Sequence, residues 1–444
     1  MSRLLITDAQ VLRVDPSGRQ AGVAAGQDVL VRGNHIEAVW PTGTADPSHF
    51  ETVIPANGML VMPGLINCHA HTPMVLWRGL AEDASVERWF NDLMWPLENN
   101  LQPEDVYWGM LLGLIEQIEA GVTAVADHYF HSAYAVQAVE KIGSRALLGY
   151  AMFGSQGLGM VEETASFVEE YQGAASGRIR TIMAPHAPYT CDDDFLRATA
   201  EVAQKLGVGI HIHVSETNAQ TVASLRKRGI TPIEVLERTG VFDVPTILAH
   251  VCGATPADIR LMEKYPVGIA HAVKTYLKLG HKTAPIIEFR AAGLAVGLAS
   301  DGVVSNSTMN LWEPLRLMAL TQKERMEQGE AMPIAEALAI ATHGAAKVYG
   351  QPDELGAVEP GYLADLILVD LGGTHHQPLY NAPMSLVYNI QPSDVQTVIV
   401  DGQVIMRDRQ LLTIDKQEVF AQVRARMARL SVLEPGKRIQ TYEL

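Results

Sequence analysis

Cysteine, basic residues and aromatic side chains are all scarce in this sequence. Of its 444 residues three are cysteine, Cys68, Cys191 and Cys252, and no two of them form a C-x-x-C pair. This scarcity argues against a disulfide framework and against a thiolate zinc site. Lysine and arginine number 34 against 50 aspartate and glutamate residues, which gives a net charge of −16. The chain therefore lacks the basic surface that binds nucleic acid or an anionic membrane, and neither is expected as a partner.

Long apolar segments are missing as well. Residues 1–8 contain no long apolar core of the kind found in a secretory signal peptide. The most apolar long segment, residues 110–126, is interrupted by Glu116, Gln117 and Glu119, and is therefore unsuited to crossing a membrane. We expect a cytoplasmic protein, and self-association into a homo-oligomer stays open.

What the sequence does contain is short apolar runs at regular intervals. Hydrophobic residues make up 48% of the chain and charged residues 19%, a composition typical of a globular protein with a full core. Residues 4–57 combine apolar bursts with a Gly33-Asn34 turn signal and no helical pattern, which predicts β structure. The same is predicted for residues 364–369 and for a hairpin around Asp401-Gly402.

Between these two β regions, apolar strands alternate with helical patterns. Eight strands are predicted, one ending at His71 and the others at residues 123–126, 146–150, 179–183, 208–213, 246–250, 267–271 and 294–301. The predicted fold class is therefore α/β, a (β/α)8 TIM-like barrel with a small β-sandwich domain built from both chain ends. We assign residues 58–357 to the barrel and residues 1–57 and 358–444 to the β-sandwich domain, with a last helix at about 416–430 covering an edge.

The stretch PGLINCHAH, residues 63–71, ends in two histidines one residue apart. In a strand, residues i and i+2 point to the same face, so His69 and His71 are expected to project side by side. Other residues able to bind a metal or a proton stand at or just after later strands, namely His186, His213, Glu216, His250 and Asp301. Because the carboxyl ends of barrel strands meet at one face, this pattern indicates a functional site there.

Five sequence features together resemble a known family. They are PGLINCHAH, PHAPYT at 185–190, HVSE at 213–216, the strand ending at His250, and ASDGVVSN at 299–306. They are similar to motifs of the amidohydrolase superfamily, and within it to the methylthioadenosine/S-adenosylhomocysteine deaminases and the related triazine hydrolases. The resemblance runs along nearly the whole chain. It implies one metal ion held by His69, His71, His213 and Asp301, catalytic roles for Glu216, His250 and Asp301, and substrate binding by Glu98, His186 and Glu216.

Three imidazoles and a carboxylate suit zinc, with iron or manganese as alternatives. One divalent ion is expected, because the fourth strand offers His186 and no lysine that would bridge a second metal. Metal binding lowers the pKa of water to about 7. Under this hypothesis Asp301 takes the water proton, His250 orients the hydroxide for attack, and Glu216 protonates the purine ring before ammonia leaves. The expected activity is hydrolysis of a C–N bond, as deamination of an adenine nucleoside such as methylthioadenosine or adenosine.

Two alternatives stay open at this point. The same machinery would serve an aminohydrolase or chlorohydrolase of an s-triazine or another cyclic amidine, again with a small-molecule substrate. A catalytically inactive metal-binding scaffold is the other alternative, and the presence of Glu216 and His250 argues against it. Tyr150 and Met160 stand where family members that bind a homocysteine carboxylate have arginines, which disfavours a substrate with a carboxylate tail.

Several further residues receive a structural interpretation. His211 is expected to be buried and hydrogen-bonded. The histidines without matched partners are interpreted as structural or exposed, namely His128, His131, His343, His375 and His376. The glycine-rich segment 153–159 lacks a phosphate-binding motif and is predicted to be a flexible loop at the barrel rim. Trp77, Trp89 and Trp95 are expected either to form a lid over a flat heterocycle or to pack within their loop.

Overall fold

The computed structural model describes residues 2–434 and contains two nine-stranded sheets, one mixed and the other parallel. We refer to the mixed one, which belongs to the smaller domain, as the small sheet. The strands are β1 (Arg3–Val14), β2 (Ala21–Arg32), β3 (His35–Pro41), β4 (Thr52–Pro55), β5 (Leu60–Pro63), β6 (Leu65–His71), β7 (Val122–Tyr129), β8 (Arg145–Met152), β9 (Ile179–Pro185), β10 (Ile210–Val214), β11 (Thr246–His250), β12 (Val267–His271), β13 (Ala295–Leu298), β14 (Asp301–Gly302), β15 (Leu366–Val369), β16 (Val395–Val400), β17 (Gln403–Arg407) and β18 (Gln410–Leu411).

The α-helices lie between and after these strands. They are α1 (Val86–Arg88), α2 (Trp95–Glu98), α3 (Pro103–Glu119), α4 (Ser132–Ile142), α5 (Gly159–Tyr171), α6 (Asp193–Leu206), α7 (Asn218–Arg228), α8 (Pro232–Arg238), α9 (Pro256–Met262), α10 (Val273–Lys278), α11 (Ile286–Ala291), α12 (Val303–Asn306), α13 (Trp312–Met326), α14 (Ile334–Ala339), α15 (Ala345–Tyr349), α16 (Ala382–Tyr388) and α17 (Lys416–Leu430). Two π-helical segments, Trp89–Met94 and Ile340–Gly344, connect α1 to α2 and α14 to α15.

The small sheet takes its strands from both chain ends. Its order is β18-β17-β16-β15-β5-β1-β2-β3, with β4 paired to β1. The predicted Asp401-Gly402 turn joins β16 to β17, and both residues have positive φ, 52° and 74°, as a two-residue hairpin turn of this kind requires. Strand β5 pairs with β1 and β15 and so belongs to this sheet, although it follows residue 58, the predicted start of the barrel. The domain limits themselves stay a prediction.

The second sheet is parallel and closes on itself. Its order is β13-β12-β11-β10-β9-β8-β7-β6-β14. Only residues 299 and 300 separate β13 from β14, and β14 pairs with β6, so the last predicted strand bends across the seam and completes the ring. All eight predicted strand regions lie in this sheet. The predicted fold class is confirmed.

Helical patterns between the barrel strands are confirmed, and α6 shows the local signals that bound such a helix. Asp192 accepts a hydrogen bond from the Phe195 amide at its start, and Gly207 has the left-handed conformation at its end. Part of the segment predicted to be a flexible rim loop is ordered instead as a 3-10 turn, Gly154–Gln156, and α5 begins at Gly159.

The last helix has the predicted position but a different neighbour. Helix α17 packs against α3 of the barrel rather than over an edge of the small sheet, and Arg426 and Arg429 both pair with the buried Asp105 of α3. Trp77 is fully buried and donates its indole N–H to the Leu430 carbonyl, so it packs the helix rather than forming a lid. Among residues 2–434, no helix is both long and apolar enough to cross a membrane.

Candidate metal and active site

His69 and His71 lie on one face of β6, beside the seam of the barrel. Asp301 is the first residue of β14, which pairs with β6 so that Asp301 stands opposite Ala70. This register sets the carboxylate between the two imidazoles. Asp301 Oδ1 lies 3.3 Å from His69 Nε2 and 3.3 Å from His71 Nε2. The first and last strands of the barrel thus bring three of the four predicted ligands together.

His213 and His250 reach the same place from β10 and β11, which pair in parallel. His213 Nε2 lies 3.2 Å from His71 Nε2. One nitrogen each of His69, His213 and His250 lie within 4.8 Å of one another, and so do the ligand atoms of His69, His71 and Asp301. We refer to His69, His71, His213, His250 and Asp301 as the barrel cluster.

Backbone carbonyls hold the outer nitrogens of two of these rings. The His71 Nδ1–H donates to the His128 carbonyl at 2.6 Å, and the His213 Nδ1–H donates to the His186 carbonyl at 2.8 Å. Their Nε2 atoms therefore face each other as two lone pairs unless a cation lies between them. Histidines that bind metals usually donate their second nitrogen in this way, which fixes the ring for the metal.

The nitrogen of His69 that faces Asp301 has no hydrogen-bond partner although it is buried. This Nε2 atom is fully shielded, while Nδ1 of the same ring lies 2.8 Å from His211 Nε2. His211 is itself fully buried and hydrogen-bonded, as the sequence predicts. Buried polar atoms without partners are rare in folded proteins because each costs free energy. The donor set therefore fits a metal ion.

The charges of the cluster agree with this fit. Burial lowers the pKa of His213 well below its ordinary value and that of His250 to about 3. Burial opposes ionisation of Asp301, but its contacts with His69 and His71 hold its pKa well below the usual range. For His71, burial lowers the pKa and the neighbouring Asp301 more than offsets this, so the net shift is upward. The negative charge of Asp301 therefore needs a positive charge beside it, which either a proton on His71 or a metal ion can supply.

Glu216 lines the same pocket, two residues beyond the end of β10. Its removal from water raises the pKa of its carboxyl to about 7. Gln220 accepts the Glu216 backbone N–H through Oε1 at 2.8 Å. This hydrogen bond fixes the main chain that carries the Glu216 side chain. At neutral pH a large fraction of this carboxyl carries a proton.

Glu98 ends α2, just after the π-helical segment, and faces the pocket from the side of the long loop that follows β6. The Tyr129 hydroxyl donates to Glu98 Oε1 at 2.7 Å. Burial raises the pKa of Glu98 to about 7. A fixed carboxyl of this kind is suited to hydrogen-bonding the hydroxyl groups of a substrate.

His186 follows β9 and forms part of the pocket wall. Its Nδ1 lies 3.0 Å from the Thr190 hydroxyl oxygen, and burial lowers its pKa to about 3, so the ring is neutral. Phe153 stacks on it with ring centroids 4.5 Å apart and planes 21° from parallel. The ring is therefore fixed in place, and its Nε2 remains for a substrate.

Most of the remaining pocket wall is apolar or aromatic. The aromatic members are Trp89, Phe90, Trp95, Tyr129, Phe130, Phe153 and Tyr276. Trp89 and Trp95 thus lie where a lid would need them, unlike Trp77. Within residues 2–434, no lysine or arginine lines this pocket. Flat, uncharged ligands suit such walls, because aromatic faces stack on heterocycles and no cation is present to pair with a carboxylate.

Tyr150 and Met160, which the sequence suggested as decisive for a carboxylate tail, lie outside the pocket wall. Met160 is buried in the apolar core, and Tyr150 packs against the Phe167 ring at 6.0 Å. A carboxylate tail is therefore disfavoured by the lack of a lysine or arginine among the wall residues within 2–434, and not by these two positions.

The backbone is strained where strands deliver these side chains. His250 has a φ of 77° and Asp301 a φ of 60°, both in the left-handed region. Ser215, next to Glu216, has a φ of 47°. Such conformations cost about 1–3 kcal/mol each for a residue other than glycine, and they are concentrated at functional sites. His250, at the end of β11, and Asp301, at the start of β14, both line the pocket in these strained conformations.

A family model described as the amidohydrolase family matches residues 60–405 of this chain. The chain belongs to the amidohydrolase family. A 5-methylthioadenosine/S-adenosylhomocysteine deaminase of Pelotomaculum thermopropionicum is 39% identical over 434 residues, with 97% of this chain and 99% of that protein covered. The protein of the same name from Desulforudis audaxviator is also 39% identical, over 96% of this chain and 99% of its own length. The prediction of a hydrolase acting on C–N bonds is confirmed.

Two solved structures have the same fold as this amidohydrolase. An adenosine deaminase from Xanthomonas campestris with bound zinc is 29% identical, with a TM-score of 0.89 over 97% of this chain and 98% of that one. An atrazine chlorohydrolase from Arthrobacter aurescens complexed with zinc is 24% identical, with a TM-score of 0.87 over 96% of this chain and 100% of that one. The second likeness shows the fold alone.

Sequence reasoning missed several residues of the amidohydrolase site, among them His128, Tyr129 and Gln220. Strand β7 continues to Tyr129, three residues past its predicted end, so His128 and Tyr129 stand at a strand end like the predicted site residues. Extending that strand would have revealed them, and His128, interpreted as structural or exposed, is buried with its ring in the pocket wall. Gln220 gave no signal, because only the turn before α7 brings it onto Glu216.

Proposed function

We propose that this amidohydrolase is a zinc-dependent deaminase of an aminated purine, with methylthioadenosine or adenosine as its substrate. His69, His71, His213 and Asp301 would hold the zinc ion. The observation that carries the proposal is that Glu216, a carboxyl whose pKa is raised to about 7, lines the same pocket as the barrel cluster. A proton donor beside a metal site is what release of ammonia from an aromatic ring requires.

A bound divalent ion would supply Lewis acidity and a water of lowered pKa. The protein side chains would do the rest. Asp301, whose pKa stays well below the usual range, is the base that accepts the proton of the attacking water. His250 orients that water by a hydrogen bond from its position on β11. Glu216 donates its proton to a ring nitrogen, which makes the neighbouring carbon electrophilic, and Asp301 returns a proton to the departing amine.

The pocket walls favour a nucleoside over a bare ring or a charged substrate. Glu98, fixed by Tyr129, would bind the ribose hydroxyls, and His186 would offer a neutral hydrogen-bonding group in the same pocket. The aromatic lining suits the purine and an apolar 5′ substituent. Because no lysine or arginine of residues 2–434 lines the wall, S-adenosylhomocysteine would leave its carboxylate unpaired there. The near full-length similarity to deaminases named for methylthioadenosine and S-adenosylhomocysteine supports the reaction type.

The test is ammonia release from a panel made up of methylthioadenosine, adenosine, adenine, S-adenosylhomocysteine, guanine and melamine. We expect methylthioadenosine and adenosine to have the highest kcat/KM and S-adenosylhomocysteine to be at least tenfold lower. Turnover of melamine above the nucleosides would favour the triazine alternative. Metal bound with no turnover on any compound would favour an inactive scaffold.

A matched variant tests the placement of the ribose. Glu98→Gln keeps the shape of the side chain but weakens its hydrogen bonds to hydroxyl groups, so KM for adenosine should rise about tenfold or more, the cost of a charge-assisted hydrogen bond. Turnover of adenine, which has no ribose, should be unchanged. An equal effect on both compounds would contradict ribose binding by Glu98.

A further inference from the structure

A second group of metal-binding side chains lies in the small-sheet half of the molecule. His375 and His376 occupy the 3-10 turn Thr374–His376 after β15, and Asp394 ends the turn before β16. His375 Nε2 lies 2.9 Å and His376 Nε2 3.1 Å from the same atom, Asp394 Oδ2. We refer to these three residues as the peripheral cluster. It shares no residue with the barrel cluster.

Too many donors point at this one oxygen. Asp394 Oδ2 also accepts the Gln391 backbone N–H at 2.7 Å, which makes three nitrogen atoms within hydrogen-bond distance. A carboxylate oxygen offers about two lone-pair positions. The Gln391 bond belongs to the turn itself, so the two imidazoles compete for what is left. Replacing their two N–H protons by one cation removes that competition.

We propose that the peripheral cluster is a binding site for a divalent transition-metal ion, with His375 Nε2, His376 Nε2 and Asp394 Oδ2 as its ligands. In tetrahedral coordination, two ligand atoms that each lie about 2.1 Å from a zinc ion are about 3.4 Å apart. The observed separations are 2.9 and 3.1 Å, so each imidazole would have to move only a few tenths of an ångström from Asp394 Oδ2 to admit the ion. Two imidazoles with a carboxylate are a donor set that suits zinc, nickel or copper rather than calcium or magnesium.

The surroundings meet the other requirements of a metal site. The Ser385 hydroxyl lies 2.6 Å from His376 Nδ1 and fixes the orientation of that ring. His376 is buried, whereas the His375 side chain is 36% exposed, so an ion has a path from solvent and water can complete its coordination. The two rings lie 4.1 Å apart at 44°, which directs both Nε2 atoms to one point. The two histidines therefore have a role beyond the structural or exposed one expected from the sequence.

Zinc bound per chain tests the proposal. The protein, loaded with zinc in the barrel, is dialysed to equilibrium against about 20 μM zinc chloride, a level at which a three-ligand site of micromolar affinity is filled. The bound metal is then measured by elemental analysis. We expect two zinc ions per chain for the wild type and one for His375→Ala, which removes the half-exposed ligand. His376→Gln should give the same loss, so that one poorly folding variant does not decide the result.

His49→Ala is the matched control. His49 is an exposed histidine with a single carboxylate partner, Asp46, at 3.9 Å, and its removal should leave two zinc ions per chain. A zinc content that stays at the wild-type level in both peripheral variants would overturn the proposal, whether that level is one or two ions per chain. Ammonia release is measured alongside. Because the peripheral cluster is separate from the pocket, its variants should keep turnover, so failure of the proposed deaminase activity would not be mistaken for failure of this site.

Discussion

The two ends of the barrel both bury charged groups, yet they treat them in opposite ways. At the amino-terminal end of β8, the Arg145 guanidinium donates two hydrogen bonds to Asp365, at 2.9 and 3.0 Å, and one to Asp401 at 3.0 Å. The Asp401 amide also donates to Asp365 at 2.8 Å. We refer to Arg145, Asp365 and Asp401 as the base network. At the carboxyl-terminal end, by contrast, the barrel cluster leaves His69 Nε2 without a partner.

This contrast in hydrogen-bond partners distinguishes the base network, which stabilises the fold, from the barrel cluster, which is suited to binding a ligand. In the base network every charge faces an opposite charge, and the network ties the barrel to both β15 and β16 of the small sheet. In the barrel cluster, by contrast, His69 Nε2 is buried without a hydrogen-bond partner, which costs free energy. The backbone at His250 and Asp301 is strained as well. Locally unfavourable sites of this kind are where function is expected to outweigh stability.

Removal of a barrel-cluster ligand should have the largest effect on activity. His69→Ala is expected to lose the bound metal and with it measurable ammonia release. The free energy of unfolding of the metal-free protein should change by less than about 1 kcal/mol, because the ring already lacks one hydrogen bond and its loss trades cavity cost against relief of that defect. Elemental analysis and urea unfolding measure the two quantities. A large fall in the unfolding free energy of the metal-free variant would contradict the view that the barrel cluster, unlike the base network, contributes little to stability.

Glu216→Gln should have the next largest effect. The amide cannot donate an acidic proton, so kcat should fall about 10²–10⁴-fold, the usual contribution of a positioned acid. Metal content should remain at the wild-type level, since Glu216 lies outside the ligand set. Turnover within a factor of three of wild type would exclude Glu216 as the proton donor.

At the other end of the barrel, Arg145→Met should act on stability alone. It leaves Asp365 buried without its cation, and breaking a buried pair in this way costs about 3–5 kcal/mol of unfolding free energy. Turnover per folded molecule should be unchanged, because no member of the base network lines the pocket. The comparison would be contradicted if kcat fell while the urea midpoint stayed the same.

The smallest expected effect is a pH dependence. The Glu216 pKa is raised from 4.5 to about 7, so the carboxyl keeps its proton up to about pH 7 and loses it above. We expect kcat/KM to fall above pH 7, approaching about tenfold per pH unit. The sign for stability follows from the same shift. Between pH 4.5 and 7 the folded state holds a proton that the unfolded state has lost, so Glu216 makes the unfolding free energy fall as pH rises. In Glu216→Gln that contribution should disappear.

Much of the fold follows from local patterns in the sequence. Each barrel strand is a short apolar run between caps and glycines, and the residues after those runs must meet at one end because the strands are parallel. That reasoning placed His213, His250 and Asp301 beside His69 and His71 without any knowledge of distances. Helix α6 is bounded by local signals of the same kind, since Asp192 and Gly207 cap it.

What local patterns left out depends on contacts between distant segments. The hydrogen bond from Tyr129 to Glu98 joins a strand end to a loop helix. The packing of α17 on α3 depends on charges more than 300 residues apart in the chain, as in the pair of Arg426 with Asp105. The peripheral cluster likewise brings two histidines to an aspartate across α16. No periodicity within one segment predicts such pairings.

The seam between β14 and β6 also sets the order in which the site comes into existence as the chain is made. His69 and His71 leave the ribosome early, with the first barrel strand. Asp301, which lies between them, comes with the last one, and Leu366–Val369 must still follow to pair with β5. A partly synthesised or truncated chain therefore carries its histidines without their carboxylate. Binding of a metal ion by all four proposed ligands can therefore take place only after β14 has paired with β6 and closed the barrel.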